Sequence, residues 1–165
     1  MFDGRLLAIA IHPSKFAPMV PRDSVAAVAG SGIVDDYYSL GKHGSGIIQP
    51  DQEVTLIEAE AIAAACQDYQ LVFDHLASRR NLLTEGVPLN HLVGKEFSIG
   101  EVILRGVELC EPCGHLEKLT IPGIKRALIH RGGLRAHVVR SGTLHIGDQI
   151  APIHTGQVSS LPRTG

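Results

Sequence analysis

The stretch that most constrains the fold is residues 101–137, where an apolar run at 102–109 is cut off by a Cys-Glu-Pro-Cys motif at 110–113. The run predicts a buried strand, and the leucine spacing at 115–119 predicts a helix directly after it. Proline cannot continue a fully paired strand, because it has no backbone N–H. The sequence therefore predicts that both thiols lie on a turn at or just before a helix start, where unpaired N–H groups and the helix dipole favour the thiolate.

Taken alone, Cys110 and Cys113 leave three interpretations open. A Cys-x-Pro-Cys pair is typical of thioredoxin-like redox proteins, but that fold places the pair after an early strand of a βαβ unit. A structural zinc site needs more ligands, and no second Cys-x-x-Cys or His-x3-His spacing supplies them. In the third interpretation the thiols are small buried apolar groups. We expect burial for Cys110, at the end of a strand, and exposure for Cys113, which follows a proline.

Composition favours a β protein. The chain of 165 residues contains 18 Gly, 9 Pro and no Trp, which indicates many turns and short strands. We predict one domain over 1–155 and a flexible tail over 156–165. The net charge of −2 implies neither nucleic acid nor a membrane as a partner. Because the three cysteines are an odd number and no signal peptide or membrane-spanning stretch is evident, we expect a reducing cytoplasm.

Apolar runs and alternation of apolar and polar residues locate the strands. Runs at 5–11 and 24–28 predict two early strands. In segments 97–103 and 144–150, apolar and polar residues alternate up to a Gly-acid pair, and the alternation then resumes. A third alternating segment, 134–138, lies between these two in the sequence. Such a pattern is typical of strands that enter tight turns or bulges. We therefore predict a closed barrel of antiparallel strands with peripheral short helices.

One helix and one long loop are also predicted. The alanine-rich segment 58–70 is the best helix, and Thr55 and Glu58 have the spacing of a capping box at its start. The glycine-rich stretch 32–46 contains Asp35 and Asp36. Long loops in compact domains are often functional, so this stretch is either a mobile binding loop or a charged turn.

Two groups of hydrogen-bond donors are candidates for binding an anion. Arg79-Arg80-Asn81 lies at a strand edge, and guanidinium groups bind phosphate and carboxylate through paired hydrogen bonds. Arg131-Gly132-Gly133 combines an arginine with glycine backbone N–H groups that can cradle an anion. The alternative is that these arginines are ordinary exposed surface residues.

The chain resembles the MOSC family, the β-barrel domains related to the C-terminal part of molybdenum cofactor sulfurases. The resemblance rests on QEVTLIEAEA (52–61), RRNLLTEGVPLNHLVGKEFSIGEVILRG (79–106), CEPCGHLEKL (110–119) and RGGLRAHVVRSGTLHIGD (131–148). It implies a mainly β closed barrel with a cleft lined by one key cysteine. In the molybdenum-dependent amidoxime reductases of this family that cysteine ligates molybdenum, and Cys113 is its counterpart. Family members commonly have Gly-Asp-Arg in the first long loop, where this chain has Asp35-Asp36-Tyr37, so the loop arginine is missing here.

The resemblance implies a molybdenum cofactor-binding reductase of N-hydroxylated substrates, such as hydroxylamines or amidoximes, with Cys113 as metal ligand and an external protein as electron donor. Cys110 and His115 would lie next to the thiolate, in the same pocket as Arg80. Candidates for holding the cofactor's phosphate tail are Arg79, Arg80, Asn81, Arg131, Gly132 and Gly133. A second hypothesis is a sulfur carrier that holds a persulfide on Cys113, received from a donor protein, and a third is a barrel that only binds a partner. Pyridoxal phosphate is not expected, because no lysine lies in a recognisable Schiff-base setting.

Overall fold

The computed structural model describes residues 1–40 and 53–153 of the chain. These residues contain eleven strands, namely β1 (Gly4–Ile11), β2 (Val20–Arg22), β3 (Ser24–Val28), β4 (Gly32–Ile33), β5 (Val54–Glu58), β6 (Leu82–Glu85), β7 (Glu96–Ile99), β8 (Val102–Leu109), β9 (Leu134–Arg140), β10 (Gly142–His145) and β11 (Gln149–Pro152). They also contain α-helices α1 (Ala59–Tyr69), α2 (His75–Ser78), α3 (Gly114–Leu119) and α4 (Ile124–Ala127), and 3-10 helices at Tyr38–Leu40 and Leu89–Leu92. Most elements are short, as the abundance of turn residues predicts.

Seven of the strands close into a barrel. Their order is β1-β6-β5-β9-β8-β7-β11, and β11 pairs with β1 to complete the ring. Strand β2 pairs with the other end of β1, and β10, β3 and β4 form a separate three-stranded sheet. The prediction of a mainly β closed barrel with short peripheral helices is confirmed.

One strand pair differs from the predicted antiparallel arrangement. Strands β5 and β6 are parallel, with Leu56 opposite Leu82, whereas the other barrel pairs are antiparallel. A parallel pair needs a crossover that returns the chain to the same end of the sheet, and α1 and α2 provide it. The barrel is therefore mixed, and residues 79–81, which precede β6, lie beside the start of β5.

Two apolar clusters hold the barrel and the helices together. The barrel interior is filled by buried side chains that include Leu6, Leu56, Phe97, Leu104 and Ile150. On the outside of β5, a second cluster joins α1, α3 and α4 through Ile57, Ala65, Leu116, Ile124 and Leu128. Because successive side chains of a strand point to opposite faces, the neighbours Leu56 and Ile57 belong to different clusters. The second cluster fixes α3, the helix that follows the two cysteines, against the barrel wall.

Helix α1 occurs within one residue of its prediction at each end, but the predicted capping box is wrong. Thr55 belongs to β5, and its Oγ1 donates a hydrogen bond to Asn81 Oδ1 at 3.1 Å. Glu58 is the N-cap residue, yet its side chain makes no capping hydrogen bond. Thr55, which the local spacing assigns to the helix start, therefore connects β5 to the residue that precedes β6.

Some sequence predictions fall on residues outside the described ranges. They are the second half of the predicted loop, 41–46, and the predicted tail, 156–165. Among the described helices, none combines the length and apolar character needed to cross a membrane.

Candidate functional site

A cavity of about 240 Å³ lies outside the barrel, between the start of β5, the residues before β6 and the turn that precedes α3. It is lined by His12, Tyr38, Thr55, Arg79, Arg80, Asn81, Cys110, Cys113, His115, Leu116 and Arg135. Six of the predicted residues meet here, namely Arg79, Arg80, Asn81, Cys110, Cys113 and His115. They come from segments that are distant in sequence and are brought together by the neighbouring strands β6, β5, β9 and β8.

The two cysteines differ in accessibility as predicted. Cys110 is only 1% exposed, and its backbone N–H donates to the carbonyl oxygen of Gly133 at 2.8 Å. Cys113 is exposed and is the N-cap residue of α3, where its side chain makes no capping hydrogen bond. Leu116, one turn further along α3, is buried in the outer apolar cluster and anchors the helix. The Cys113 thiol is thus open to an incoming group while the backbone around it is held in place.

Arg80 braces the turn that carries the thiols. Its guanidinium is buried and donates from Nε to the carbonyl oxygen of Gly132 at 2.8 Å and from Nη2 to that of Cys110 at 3.1 Å. Guanidinium carries five N–H donors in a planar fork, so one side chain can hold two backbone carbonyls at once. Arg80 therefore has a structural role next to the thiol, which sequence reasoning did not predict.

Arg79 connects the cavity to the loop after β1. Its backbone is left-handed, with φ 58°, and caps the C-terminus of α2. Its Nη1 donates to the carbonyl oxygen of Ala17 at 2.8 Å, and Nη2 donates to that of Lys15 at 3.2 Å. Burial lowers the pKa of Arg79, and Tyr38 and Asp36 oppose this effect. The side chain fixes loop residues 15–17 at the cavity edge.

A buried polar network lies behind the cavity wall. His12 Nδ1 lies 2.9 Å from Asp36 Oδ1, and His12 Nε2 lies 3.0 Å from the carbonyl oxygen of Arg79. Asp36 also accepts hydrogen bonds from the backbone N–H of His12 at 2.7 Å and of Tyr38 at 3.2 Å. Asp36 is only 1% exposed and ties the loop to β1, so it does not form an exposed charged turn, whereas Tyr38 of the same stretch lines the cavity.

Asn81 completes the network and uses its whole amide group. Its Nδ2 donates to the carbonyl oxygen of Ala10 at 3.1 Å and to Asp36 Oδ1 at 3.0 Å. Its Oδ1 accepts from the backbone N–H and the hydroxyl of Thr55, both at 3.1 Å. An amide side chain has two donor hydrogens and two acceptor lone pairs, so these four contacts satisfy it. Asn81 thus joins β1, β5 and the Asp36 loop, and we assign it to the support of the cavity.

The cavity is electropositive. Among the residues that the structure describes, its lining includes the arginines Arg79, Arg80 and Arg135 and no carboxylate. Arg135 lies on β9 directly opposite Thr55 on β5, and its Nε is 3.7 Å from Glu108 Oε1. Burial raises the pKa of the Tyr38 phenol, and Arg79 acts against that rise. Sequence reasoning missed Arg135, although alternation in 134–138 places it on the outer face of the strand.

The family follows from comparison with known proteins. The model of the MOSC domain family matches residues 41–151, about two thirds of the chain. The chain belongs to the MOSC domain family. A search of curated proteins finds no match.

Solved structures share the MOSC fold with this chain. YuaD from Bacillus subtilis superimposes with a TM-score of 0.73 at 17% identity, covering 91% of this chain and 97% of that protein. YiiM from Geobacillus stearothermophilus gives a TM-score of 0.67 at 16% identity, covering 93% of this chain and 76% of that protein. YiiM from Escherichia coli gives 0.65 at 15% identity, covering 91% and 70%. At these identities the likeness establishes the fold alone.

Three predicted residues of this MOSC domain do not line the cavity. Arg131 donates from Nε to the carbonyl oxygen of Ala127 at 2.7 Å and from Nη1 to Asp68 Oδ2 at 3.0 Å, which ties it to α4 and α1. A Cβ atom on Gly132 would lie 2.4 Å from the carbonyl oxygen of Cys110, and one on Gly133 would lie 1.9 Å from that of Leu56. Close packing of backbones explains these glycines, in contrast to the predicted anion cradle.

The site of this MOSC domain suits a group that needs one soft ligand and several cationic donors. Among residues 1–40 and 53–153, no three His, Cys, Asp or Glu side chains converge to hold a metal ion, so the zinc interpretation gains no support. Molybdenum with dithiolene sulfurs readily takes a single thiolate. Cys113 is such a thiol, and Arg79 and Arg135 line the same cavity with guanidinium groups that suit a phosphate tail. The residues present therefore fit the cofactor that the family implies.

Proposed function

We propose that this protein binds the molybdenum cofactor through Cys113 and reduces N-hydroxylated substrates with electrons from a redox protein. The observation that supports this most directly is the exposed Cys113 thiol in a cavity whose lining, within residues 1–40 and 53–153, has three arginines and no carboxylate. A thiolate is a ligand for soft metals, and guanidinium groups bind phosphate through paired hydrogen bonds. We assign the protein to the reducing cytoplasm, because Cys66, Cys110 and Cys113 are all free thiols.

The proposed reaction cleaves one N–O bond. A hydroxylamine R–NHOH takes up two electrons and two protons and yields the amine R–NH₂ and water. When bound, the cofactor supplies the two-electron and oxygen-atom chemistry. The chain's own residues would hold the metal through Cys113 and bind the anionic tail through Arg79 and Arg135. Arg80 keeps the turn at residues 110–113, here called the thiol turn, in place.

Metal content of the protein made in a host that synthesises the cofactor is the first test. We expect about one molybdenum per chain in the wild type and in Cys66→Ser, and almost none in Cys113→Ser. Cys66 is a matched control, because it is a free thiol outside the cavity whose Sγ contacts the carbonyl oxygen of Phe73 at 3.6 Å. Reduction of benzamidoxime with reduced viologen as electron source should follow the molybdenum content. Wild-type protein without molybdenum would contradict the proposal.

The sulfur carrier is the second candidate function. The same exposed thiol favours it, since persulfide transfer needs an accessible sulfur atom and no metal. Mass spectrometry of the intact protein would then show an added sulfur atom that reductant removes and that Cys113→Ser lacks. Absence of both molybdenum and the sulfur adduct would leave a barrel that only binds a partner.

A further inference from the structure

A second cavity, here called the end pocket, is separate from the Cys113 cavity. It has a volume of about 580 Å³, and its apolar lining residues are Phe2, Pro88, Leu92, Pro152 and Ile153. Among the residues that the structure describes, none lines both cavities. Small-molecule sites are commonly concave and mostly apolar, with a few polar groups that orient the ligand.

The ends of three strands place the end pocket at one mouth of the barrel. Phe2 lies two residues before β1, and Pro152 is the last residue of β11. Gly4 of β1 pairs with Ile150 of β11, and Pro152 pairs with Phe97 of β7. The start of β1, the start of β7 and the end of β11 therefore lie at the same end of the barrel. Mouths of β-barrels are among the places where ligand sites occur most often.

The inner part of the end pocket is apolar and is held in place by the barrel. Leu92 is 4% exposed and belongs to the cluster that fills the barrel, and Phe2 packs against that cluster. The Gly94 N–H donates to the carbonyl oxygen of Gly106 at 2.9 Å, and the Gly106 N–H donates to that of Lys95 at 3.0 Å. These hydrogen bonds tie the segment that carries Leu92 to β8. A ligand therefore meets a fixed apolar surface.

Basic side chains predominate among the charged groups of the end pocket. His91, Lys95 and Arg105 line it, and Glu96 is the one carboxylate among its described lining residues. Glu96 Oε1 lies 3.9 Å from Arg105 Nη1, and both side chains are more than a third exposed, so this ion pair is weak. Within residues 1–40 and 53–153, the Lys95 amine has no ion-pair partner. An anion in the pocket would meet a cation that no described carboxylate neutralises.

We propose that the end pocket binds an organic acid that combines an apolar body with one carboxylate. The apolar body covers Phe2 and Leu92, and the carboxylate accepts hydrogen bonds from Lys95 and Arg105. Binding is non-covalent. A neutral compound of the same shape binds more weakly, because it leaves the Lys95 amine without an anion. The inference does not depend on the proposed function, because it uses none of the residues that line the Cys113 cavity.

The test compares 2-naphthoate with 2-naphthol, which has the same rings and is uncharged at neutral pH. In protein with labelled methyl groups, we expect 2-naphthoate to shift the NMR signals of Leu92 and Ile153 and to bind about fivefold more tightly than 2-naphthol. Added salt should reduce that ratio. The signals of Leu116, which lines the Cys113 cavity, should stay unchanged. Shifts at Leu116 without shifts at Leu92 would place the acid at the other cavity and overturn the inference.

Two substitutions separate the roles of charge and apolar surface. Lys95→Gln should weaken binding of 2-naphthoate about fivefold and change that of 2-naphthol little, whereas Phe2→Ala should weaken both. Lys125→Gln is the matched control, because Lys125 is an exposed lysine on α4 that does not line the end pocket. Equal affinity of 2-naphthoate for wild type and Lys95→Gln, or absence of shifts at millimolar 2-naphthoate, would overturn the inference. Molybdenum content, measured separately, decides the proposed function in either case.

Discussion

Arg80 Nε donates a 2.8 Å hydrogen bond to the carbonyl oxygen of Gly132, and Arg80 Nη2 donates a 3.1 Å bond to that of Cys110. One buried guanidinium thus links Cys110, just after β8, to Gly132, just before β9. The arginine that the resemblance assigns to cofactor contact also supports the backbone on which Cys113 stands. Mutation of Arg80 will therefore affect stability whether or not a cofactor binds.

We predict that Arg80→Gln lowers the free energy of unfolding by about 2–4 kcal/mol, because two buried carbonyl oxygens lose a charged donor. Arg140→Gln is the control, since exposed Arg140 also donates from Nε to a backbone carbonyl, that of Glu101 at 2.9 Å. We expect the control to change stability by less than about 0.5 kcal/mol. Urea unfolding measures both variants, and equal free energies of unfolding for Arg80→Gln and Arg140→Gln would show that Arg80 does not support the turn.

The second prediction concerns Asp36 and its exposed neighbour Asp35. Asp36 Oδ1 accepts hydrogen bonds from the backbone N–H of His12 and from Asn81 Nδ2 and lies 2.9 Å from His12 Nδ1, all in a buried setting. Leaving a buried hydrogen-bonding group without its partner costs about 1–3 kcal/mol, so we expect Asp36→Asn to destabilise the protein by at least about 1 kcal/mol.

Asp35→Asn should be nearly neutral. Asp35 is exposed and has φ 71°, a left-handed conformation that Asn tolerates well. Thermal unfolding of the two variants at one pH provides the comparison. Similar melting temperatures would contradict the assignment of Asp36 to the structural network.

The third prediction is a pH dependence from Glu53. Burial raises the pKa of Glu53 above its ordinary value of 4.5, and hydrogen bonds from the backbone of Val138 and Gly30 oppose the rise. The folded state therefore retains this proton at a pH where the unfolded chain has lost it. The contribution of Glu53 to stability is largest below pH 4.5 and decreases as the pH rises through the folded-state pKa.

Glu53→Gln should remove the loss of stability that accompanies ionisation of Glu53. We expect the free energy of unfolding of Glu53→Gln, relative to wild type, to increase between pH 4 and pH 7, because the buried amide does not ionise. Each unit by which the pKa of Glu53 is higher in the folded than in the unfolded state corresponds to about 1.4 kcal/mol of this increase. Exposed Glu85→Gln should run parallel to wild type over the same range. Urea unfolding at several pH values measures the difference, and a constant offset for Glu53→Gln would contradict the prediction.

The fourth prediction separates packing from anion binding at the glycine pair. Gly133→Ala would place Cβ 1.9 Å from the carbonyl oxygen of Leu56 at a φ of 113°, so β9 would have to move away from β5. We expect destabilisation of about 3 kcal/mol or more. Gly114→Ala is the control beside Cys113, since its Cβ would meet no atom within 4 Å. Calorimetry in phosphate-free buffer should show the difference; a Gly133→Ala loss confined to ligand binding would instead support an anion cradle.

Local patterns in the sequence determined much of this protein. Apolar runs located the strands at 5–11 and 102–109, and the short strand at 24–28 was also predicted, because short apolar stretches bounded by turn residues are typical of buried strands. A proline after a strand predicted the turn, and strand-end and turn positions correctly predicted the burial of Cys110 and the exposure of Cys113. These features depend on residues that are close in the chain.

Only the tertiary structure decided which distant residues meet. His12 and Asp36 are 24 positions apart and Thr55 and Asn81 are 26 apart, and their pairing depends on the order β1-β6-β5-β9 and on the parallel direction of β5 and β6. No local pattern specifies strand order, because each strand presents the same backbone donors and acceptors to any neighbour. For that reason the turn that carries the thiols could be predicted from local patterns. Arg80 and His115 were placed in its pocket through the family resemblance, whereas His12 and Arg135, which line the same cavity from other strands, were not predicted.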